Sequence, residues 1–162
     1  MTPRVVVIGL GNAYRRDDGL GLAVADEVAR TAPPDVGVHA GVRDPSQLLD
    51  LWVGAEATIL VDAAVGPSGE PGRIRRITPD AVATTRTTSS HGLDVAAALA
   101  LGETLGRNPS RVVLYAVDVA DCGYGIGLTS DVAAAVPAVA AAVIAEARVV
   151  TAGPCGTARP PR

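Results

Sequence analysis

Apolar and polar residues recur at two different spacings along the chain, and the two spacings alternate. Runs of β-branched apolar residues predict buried strands, and apolar residues three or four positions apart predict helices. The predicted strands are Arg4 to Leu10, Val36 to Ala40, Ala57 to Val61, Arg73 to Thr78 and Arg111 to Val117. The predicted helices are Leu20 to Arg30, Pro45 to Trp52, Leu93 to Leu105, and a last helix that Thr129 is expected to cap and that ends near Val149.

This alternation predicts the fold class. Strands that alternate with helices are typical of a parallel sheet covered on both faces, and strands that are apolar throughout indicate burial on both sides. We therefore expect an α/β fold: a single domain with a doubly wound, mostly parallel sheet and helices on both faces. The domain is expected to span residues 1–150, and residues 151–162, which lack periodicity, are expected to form a disordered tail.

Composition excludes several kinds of chemistry. All 14 basic residues are Arg and none is Lys, so neither Schiff-base chemistry nor a phosphate-binding P-loop lysine is available. The net charge of -3 and the small number of aromatic residues argue against a nucleic-acid partner. The apolar stretches near the start are too short for a secretory signal or a membrane span, which favours a cytoplasmic protein with no membrane partner. Cys122 and Cys155 are far apart in sequence and are interpreted as isolated thiols.

Polar residues follow several of the predicted strands. Asn12, Asp17 and Asp18 come after the first strand, Asp62 ends the third, and His91 precedes a helix. Ligands of doubly wound sheets bind beyond the carboxyl ends of the strands, so we expect these side chains to converge there. Two carboxylates and an imidazole suit a borderline divalent ion such as nickel, zinc or cobalt.

Each of these residues also has a purely structural interpretation. Asp17 or Asp18 would serve as a helix cap, and a single histidine is more often an exposed or hydrogen-bonded polar residue. Asp62 is harder to explain in this way, because a carboxylate at the end of a buried strand needs a partner. The acidic pair, Asp62 and the histidine at one end of the sheet together favour a site. His39 has no comparable neighbours and is interpreted as a structural or surface residue.

Two other families of α/β proteins fit less well. Gly9-Leu10-Gly11 lies between a strand and a helix, as in dinucleotide-binding proteins, but Tyr14 stands where the third glycine is needed. The acidic residue expected after the second strand is also missing, since Val38 to Ala40 occupy that place. A phosphoacceptor receiver domain would share the strand-end aspartates but requires a lysine, which this chain lacks.

Four motifs of the chain together resemble the hydrogenase maturation endopeptidases. They lie in that family's order, and the resemblance covers residues 4 to 149. The motifs are Val5 to Gly21, with Gly-Leu-Gly-Asn followed by Asp-Asp-Gly; Ile59-Leu-Val-Asp-Ala63; Ser90-His-Gly-Leu93; and Gly125-Ile-Gly-Leu-Thr129.

The resemblance implies a function. Members of the family are nickel-dependent proteases that trim the C-terminal peptide from the large subunit of nickel–iron hydrogenases. It implies that Asp18, Asp62 and His91 are the metal-binding and catalytic residues. It also implies that the nickel arrives with the precursor subunit, which would be the partner of a monomeric protease. Zinc or cadmium is expected to substitute for nickel in vitro. The alternative is a non-catalytic module that binds or senses the nickel-loaded precursor.

Several finer assignments follow from the resemblance, and some remain open. We expect one of the carboxylates to act as general base, and Asp17 to support Asp18 or to exchange roles with it. Asn12 is expected to hold its loop through hydrogen bonds to the backbone. Many family members carry a Gly-Gly-Thr loop where this chain has Ala40 to Pro45, so the subunit that is cut stays undefined. Two interpretations are open for the arginines near the site: either they grip the tail of the precursor or they form a solvated face. They are Arg15, Arg16 and Arg43.

Overall fold

The structure is a computed structural model and describes residues 2–42, 44–66, 69–78, 80–81 and 95–153. Its strands are β1 Val5–Leu10, β2 Val36–Val42, β3 Ala57–Ala64, β4 Ile74–Ile77 and β5 Arg111–Asp118. Its α-helices are α1 Leu20–Thr31, α2 Pro45–Trp52, α3 Val95–Leu105 and α4 Ser130–Ala152. A short 3₁₀ turn, Arg16–Gly19, precedes α1.

The strands form one sheet in the order β2-β1-β3-β5-β4. Neighbours among β2, β1, β3 and β5 are parallel, and β4 runs antiparallel to β5 at one edge. The carboxyl ends of the four parallel strands therefore lie along the same side of the sheet, which we call its carboxyl edge, as the sequence predicts. The predicted α/β fold with a mostly parallel sheet is confirmed.

Helices cover both faces of the sheet. Alternate residues of a strand point to opposite faces, so Val5 and Val7 pack on the side of α1 and α4. Val6 and Ile8 pack on the side of α2 and α3, together with Trp52, the largest fully buried side chain. The core is built almost entirely from Val, Leu, Ile and Ala, which lets the helices approach the sheet closely.

The strands and helices extend beyond several predicted ends. β2 continues to Val42 and β3 to Ala64, so Asp62 lies within its strand and not at the end. The side chain of Asp62 interrupts the apolar run of β3, but the backbone of β3 stays paired with β5 through Ala64. The last helix ends at Ala152, past the expected boundary of the domain. Leu93, the predicted start of α3, and residues 154–162 of the predicted tail lie outside the described residues.

Helix α4 is long and apolar enough to cross a membrane by length and composition alone. Its inner face is part of the core, however, where Val132, Val139 and Val143 are fully buried. The same helix carries Glu146, which binds β4 through Arg76. Core helices of globular proteins share this composition, so the composition of α4 by itself does not indicate a membrane span.

Candidate active site

The start of α1 lies directly against the carboxyl ends of β1 and β3. A Cβ atom on Gly21 would overlap the carbonyl oxygen of Leu10 and come within 2.6 Å of the carbonyl oxygen of Val61. Any side chain at this position would therefore push the helix away from the sheet. Gly21 brings the 3₁₀ turn, with Asp17 and Asp18, to the edge of the sheet where the sequence places the site.

The loop between β1 and the 3₁₀ turn is held by Asn12 and Asp18. The backbone N–H of Asn12 donates to the carbonyl oxygen of Asp18 (3.2 Å) and to its Oδ2 (3.1 Å). The side-chain Oδ1 of Asn12 accepts from the backbone N–H of Tyr14 at 3.0 Å. Asn12 therefore holds the loop through backbone contacts, as predicted, and Asp18 is fully buried beneath it.

Asp17 faces in another direction and binds a loop more than a hundred residues away. Its Oδ2 accepts from the backbone N–H groups of Ala120 and Asp121, both at 3.0 Å. Its Oδ1 accepts from the backbone N–H of Thr129 at 2.7 Å, and the Thr129 hydroxyl donates to both oxygens. Burial alone raises the pKa of Asp17, but the hydrogen bonds from Thr129, Asp121 and Ala120 outweigh burial and hold it below its usual value.

The two adjacent aspartates thus have different partners. Neither caps α1, because Gly19 occupies the N-cap position with no side-chain hydrogen bond. Thr129 is the N-cap residue of α4, yet its hydroxyl binds Asp17 and does not cap the helix, contrary to the sequence-based expectation. Asp17 is committed to joining two loops, which favours Asp18 as the carboxylate of the site.

Asp62 lies on the neighbouring strand. Val61 is paired with Gly9 of β1, so Asp62 is level with the last residue of β1, next to the loop that binds Asp18. Its side chain lies on the same face of β3 as Leu60 and Ala64, the face that α3 covers, and is almost fully buried. Two buried carboxylates therefore lie near the carboxyl ends of β1 and β3, where ionised groups need cations or hydrogen-bond donors.

The third predicted ligand, His91, lies outside the described residues. In the part of the chain that the structure describes, no group of three His, Cys, Asp or Glu residues is placed to hold a metal ion. Carboxylate oxygens from Asp18 and Asp62 are compatible with a divalent ion, and an imidazole would complete such a donor set. The assignment of Asp18, Asp62 and His91 as ligands stays a prediction.

The surroundings of the site differ in part from the sequence interpretation. Arg16 already has partners, since its Nε lies 3.5 Å from Asp121 Oδ2 and donates to the carbonyl oxygen of Tyr124. Arg43 lies outside the described residues. His39 lines an open cavity of about 360 Å³ between the end of β2 and α2, together with Gln47 and Asp50.

Asp118 is a further buried carboxylate at this edge that the sequence interpretation missed. It ends β5 and is ion-paired with Arg75 of β4, whose Nη2 and Nε lie 2.7 and 3.0 Å from Oδ1. An aspartate that ends an apolar strand was the signal that identified Asp62, and the same signal applies here. The partner could not be predicted, because it comes from an antiparallel strand.

A family model described as HycI, hydrogenase maturation protease, matches residues 23–146 of the chain. The chain belongs to the hydrogenase maturation protease family. The match begins within α1 and ends within α4, and the sequence resemblance to this family is thereby confirmed. The family is one of proteases, and the buried carboxylates of Asp18 and Asp62 are the candidate residues of the active site.

Solved structures of such proteases share the fold. The hydrogenase maturating endopeptidase HybD from Escherichia coli is 25% identical, with a TM-score of 0.79 over 90% of this chain and 93% of that chain. The protease HybD from Thermococcus kodakarensis is 21% identical, with a TM-score of 0.69 over 86% and 96% of the two chains. The endopeptidase HycI from Escherichia coli is 23% identical, with a TM-score of 0.68 over 85% and 86%. A comparison with curated proteins found no match.

Proposed function

We propose that this protease removes the C-terminal peptide from the large-subunit precursor of a nickel–iron hydrogenase after nickel has been inserted. The observation that carries the proposal is that two buried carboxylates lie near the carboxyl ends of neighbouring strands in a chain of this family: Asp18 binds the loop after β1, and Asp62 on β3 is level with the end of β1. We further propose that His91 joins the two carboxylates, and that the protease acts as a monomer in the cytoplasm.

In this proposal nickel is part of the substrate and enters the site with the precursor. Held between the precursor and the side chains of Asp18, Asp62 and His91, it would polarise the carbonyl of the bond to be cut. The donor set supports this proposal, because carboxylate and imidazole ligands suit a borderline ion and leave positions open for the precursor's own ligands.

The residues of the chain would supply proton transfer. One of the two carboxylates accepts a proton from the attacking water as the water oxygen bonds to the carbonyl carbon. The same proton then passes to the leaving nitrogen as the carbon–nitrogen bond breaks. Asp17 does not take part, because its oxygens are engaged by Thr129, Ala120 and Asp121.

The test uses purified precursor, with and without inserted nickel, and follows its shortening on gels. Asp18→Asn, Asp62→Asn and His91→Ala are expected to lower kcat/KM at least about 100-fold, the usual scale for a lost general base or metal contact. Asp26→Asn, which changes an exposed carboxylate on α1, is the matched control and should cut at the normal rate.

Three outcomes would contradict the proposal. Normal processing by all three variants would show that these residues do not form the active site. Equal cleavage of nickel-free and nickel-loaded precursor would show that nickel is not recognised. Normal binding of the loaded precursor without any cleavage by the parent protein would favour the non-catalytic module.

A further inference from the structure

The chain has very few aromatic residues, and they are distributed unevenly. It contains one Trp, three Tyr and no Phe. Trp52 and Tyr115 are buried, whereas Tyr14 is 66% exposed and Tyr124 is 93% exposed. Ile126, two residues beyond Tyr124, is 79% exposed. Tyr14 lies in the loop after β1 and Tyr124 in the loop after β5, so both exposed tyrosines are at the carboxyl edge of the sheet.

A short parallel bridge joins these two loops. Arg15 pairs with Gly125, so Tyr14 and Tyr124, which precede them, are brought side by side. The N–H of Gly125 donates to the carbonyl oxygen of Tyr14, and the N–H of Arg16 donates to the carbonyl oxygen of Gly125, both at 3.0 Å. We call the patch formed by Tyr14, Tyr124 and Ile126 the tyrosine patch.

The loops beneath the patch are held in place before any partner arrives. Asp17 binds the second loop at Ala120, Asp121 and Thr129. Among the described residues, Arg16 is the only non-glycine residue with a positive φ, 47°, a conformation that neighbouring contacts must hold. A fixed apolar surface loses little conformational entropy on binding, which is how preorganised interfaces gain affinity.

Hydrogen bonds connect the patch to the candidate active site. The backbone N–H of Tyr14 donates to Asn12 Oδ1, and the backbone N–H of Asn12 donates to the Asp18 carboxylate, so Asn12 links the patch to the site. Arg16 beside the patch is paired with Asp121, with 3.5 Å between Nε and Oδ2. Exposed tyrosines with an apolar neighbour are typical of the central residues of protein interfaces.

We propose that the tyrosine patch is the docking surface for the folded body of the precursor, through an apolar surface that lies beside its C-terminal segment. This inference rests on the proposed function and adds the contact that holds the protein substrate. When the precursor docks at the patch, its C-terminal segment lies over Asp18. Recognition of the substrate is then divided between an apolar surface and the site carboxylates.

The experiment measures initial rates of cleavage against the concentration of nickel-loaded precursor. Combined Tyr14→Ala, Tyr124→Ala and Ile126→Ala is expected to raise KM at least tenfold with kcat changed less than twofold. Tyr124→Ala alone, at the most exposed position, should raise KM about threefold. Val149→Ala, at a 66% exposed apolar residue near the far end of α4, is the control and should leave KM unchanged.

The outcomes separate this proposal from the proposed function. An unchanged KM in the combined variant, with the parent protein active, would overturn the docking surface and leave the function intact. Failure of the parent protein to cut the precursor would overturn the function. Precursor binding at least tenfold weaker in the combined variant than in the parent protein would then support the docking surface, and equal binding would overturn it. Sedimentation that shows a parent dimer and a variant monomer would assign the patch to a second copy of this chain and overturn the proposal.

Discussion

Replacing Asp17 by Asn tests whether the loop after β5 is fixed by one buried carboxylate. The change keeps the shape of the side chain but turns one oxygen into an NH₂ group. That group would face either the N–H of Thr129 or the N–H groups of Ala120 and Asp121. In either orientation at least one N–H donor loses its acceptor and meets another donor.

The expected cost follows from these contacts. A buried polar group left without a partner costs about 1–3 kcal/mol, and hydrogen bonds to a charged group are each stronger than neutral ones. One or two lost acceptors together with the lost charge give a decrease of about 2–4 kcal/mol in the free energy of unfolding. Thr129→Val, which removes only the hydroxyl, should cost about 1 kcal/mol. Because the two groups interact, the double variant should lose less than the sum of the two single changes.

Urea unfolding at neutral pH measures these free energies. Asp131→Asn is the matched control, because it removes an exposed carboxylate from the first turn of α4 and should cost no more than about 1 kcal/mol. We also expect Asp17→Asn to slow precursor cleavage, because Asp18 is the next residue of the same turn. The reasoning is refuted if Asp17→Asn is no more destabilising than Asp131→Asn, or if the Asp17 and Thr129 changes are additive.

The remaining predictions concern the ion pairs of β4. Arg75→Ala leaves the buried Asp118 carboxylate without its cation and should lower the free energy of unfolding by about 3–5 kcal/mol. Adding Asp118→Asn should recover part of that loss, and urea unfolding of the single and double variants measures the recovery. Hydrogen bonds from Arg76 lower the pKa of Glu146 in the folded protein. The stabilisation from this ion pair is therefore complete above the pKa of the unfolded chain, about 4.3, and is lost as the pH falls through the lower pKa of the folded protein. Glu146→Gln should therefore cost about 1–2 kcal/mol at pH 7, since Arg76 is half-exposed, and the difference from the parent protein should shrink from about pH 5 to pH 3; a constant difference over this range would contradict the assignment.

The sequence of strands and helices along the chain could be predicted because burial determines the pattern of apolar residues in each element. A strand covered on both faces must be mostly apolar, as β1 and β3 are. Asp62 was recognisable for the same reason, since an ionised group in such a strand requires a special environment. The end of β3 was not recognisable, because pairing with β5 continues past Asp62 through groups of the backbone, which the side-chain pattern does not record.

Long-range partners limit what sequence can show about the site. Asp17 binds Thr129 across 112 positions, and Asp118 binds Arg75 across 43 positions. Neither contact has a local periodicity, and both involve loops or edge strands. The residues could be picked out as chemically unusual, but their partners required the fold.

The choice between Asp17 and Asp18 shows this limit most clearly. In a 3₁₀ turn, with three residues per turn, consecutive side chains point about 120° apart. One of two adjacent carboxylates therefore faces the loop after β5 while the next faces the loop after β1. An α-helical start, with Asp17 or Asp18 as its cap, would have placed one of them at the free N–H groups of α1. In the 3₁₀ turn each aspartate contacts a separate loop. Asp17 is held by Ala120, Asp121 and Thr129, so the role proposed for the pair falls to Asp18, which faces the loop after β1.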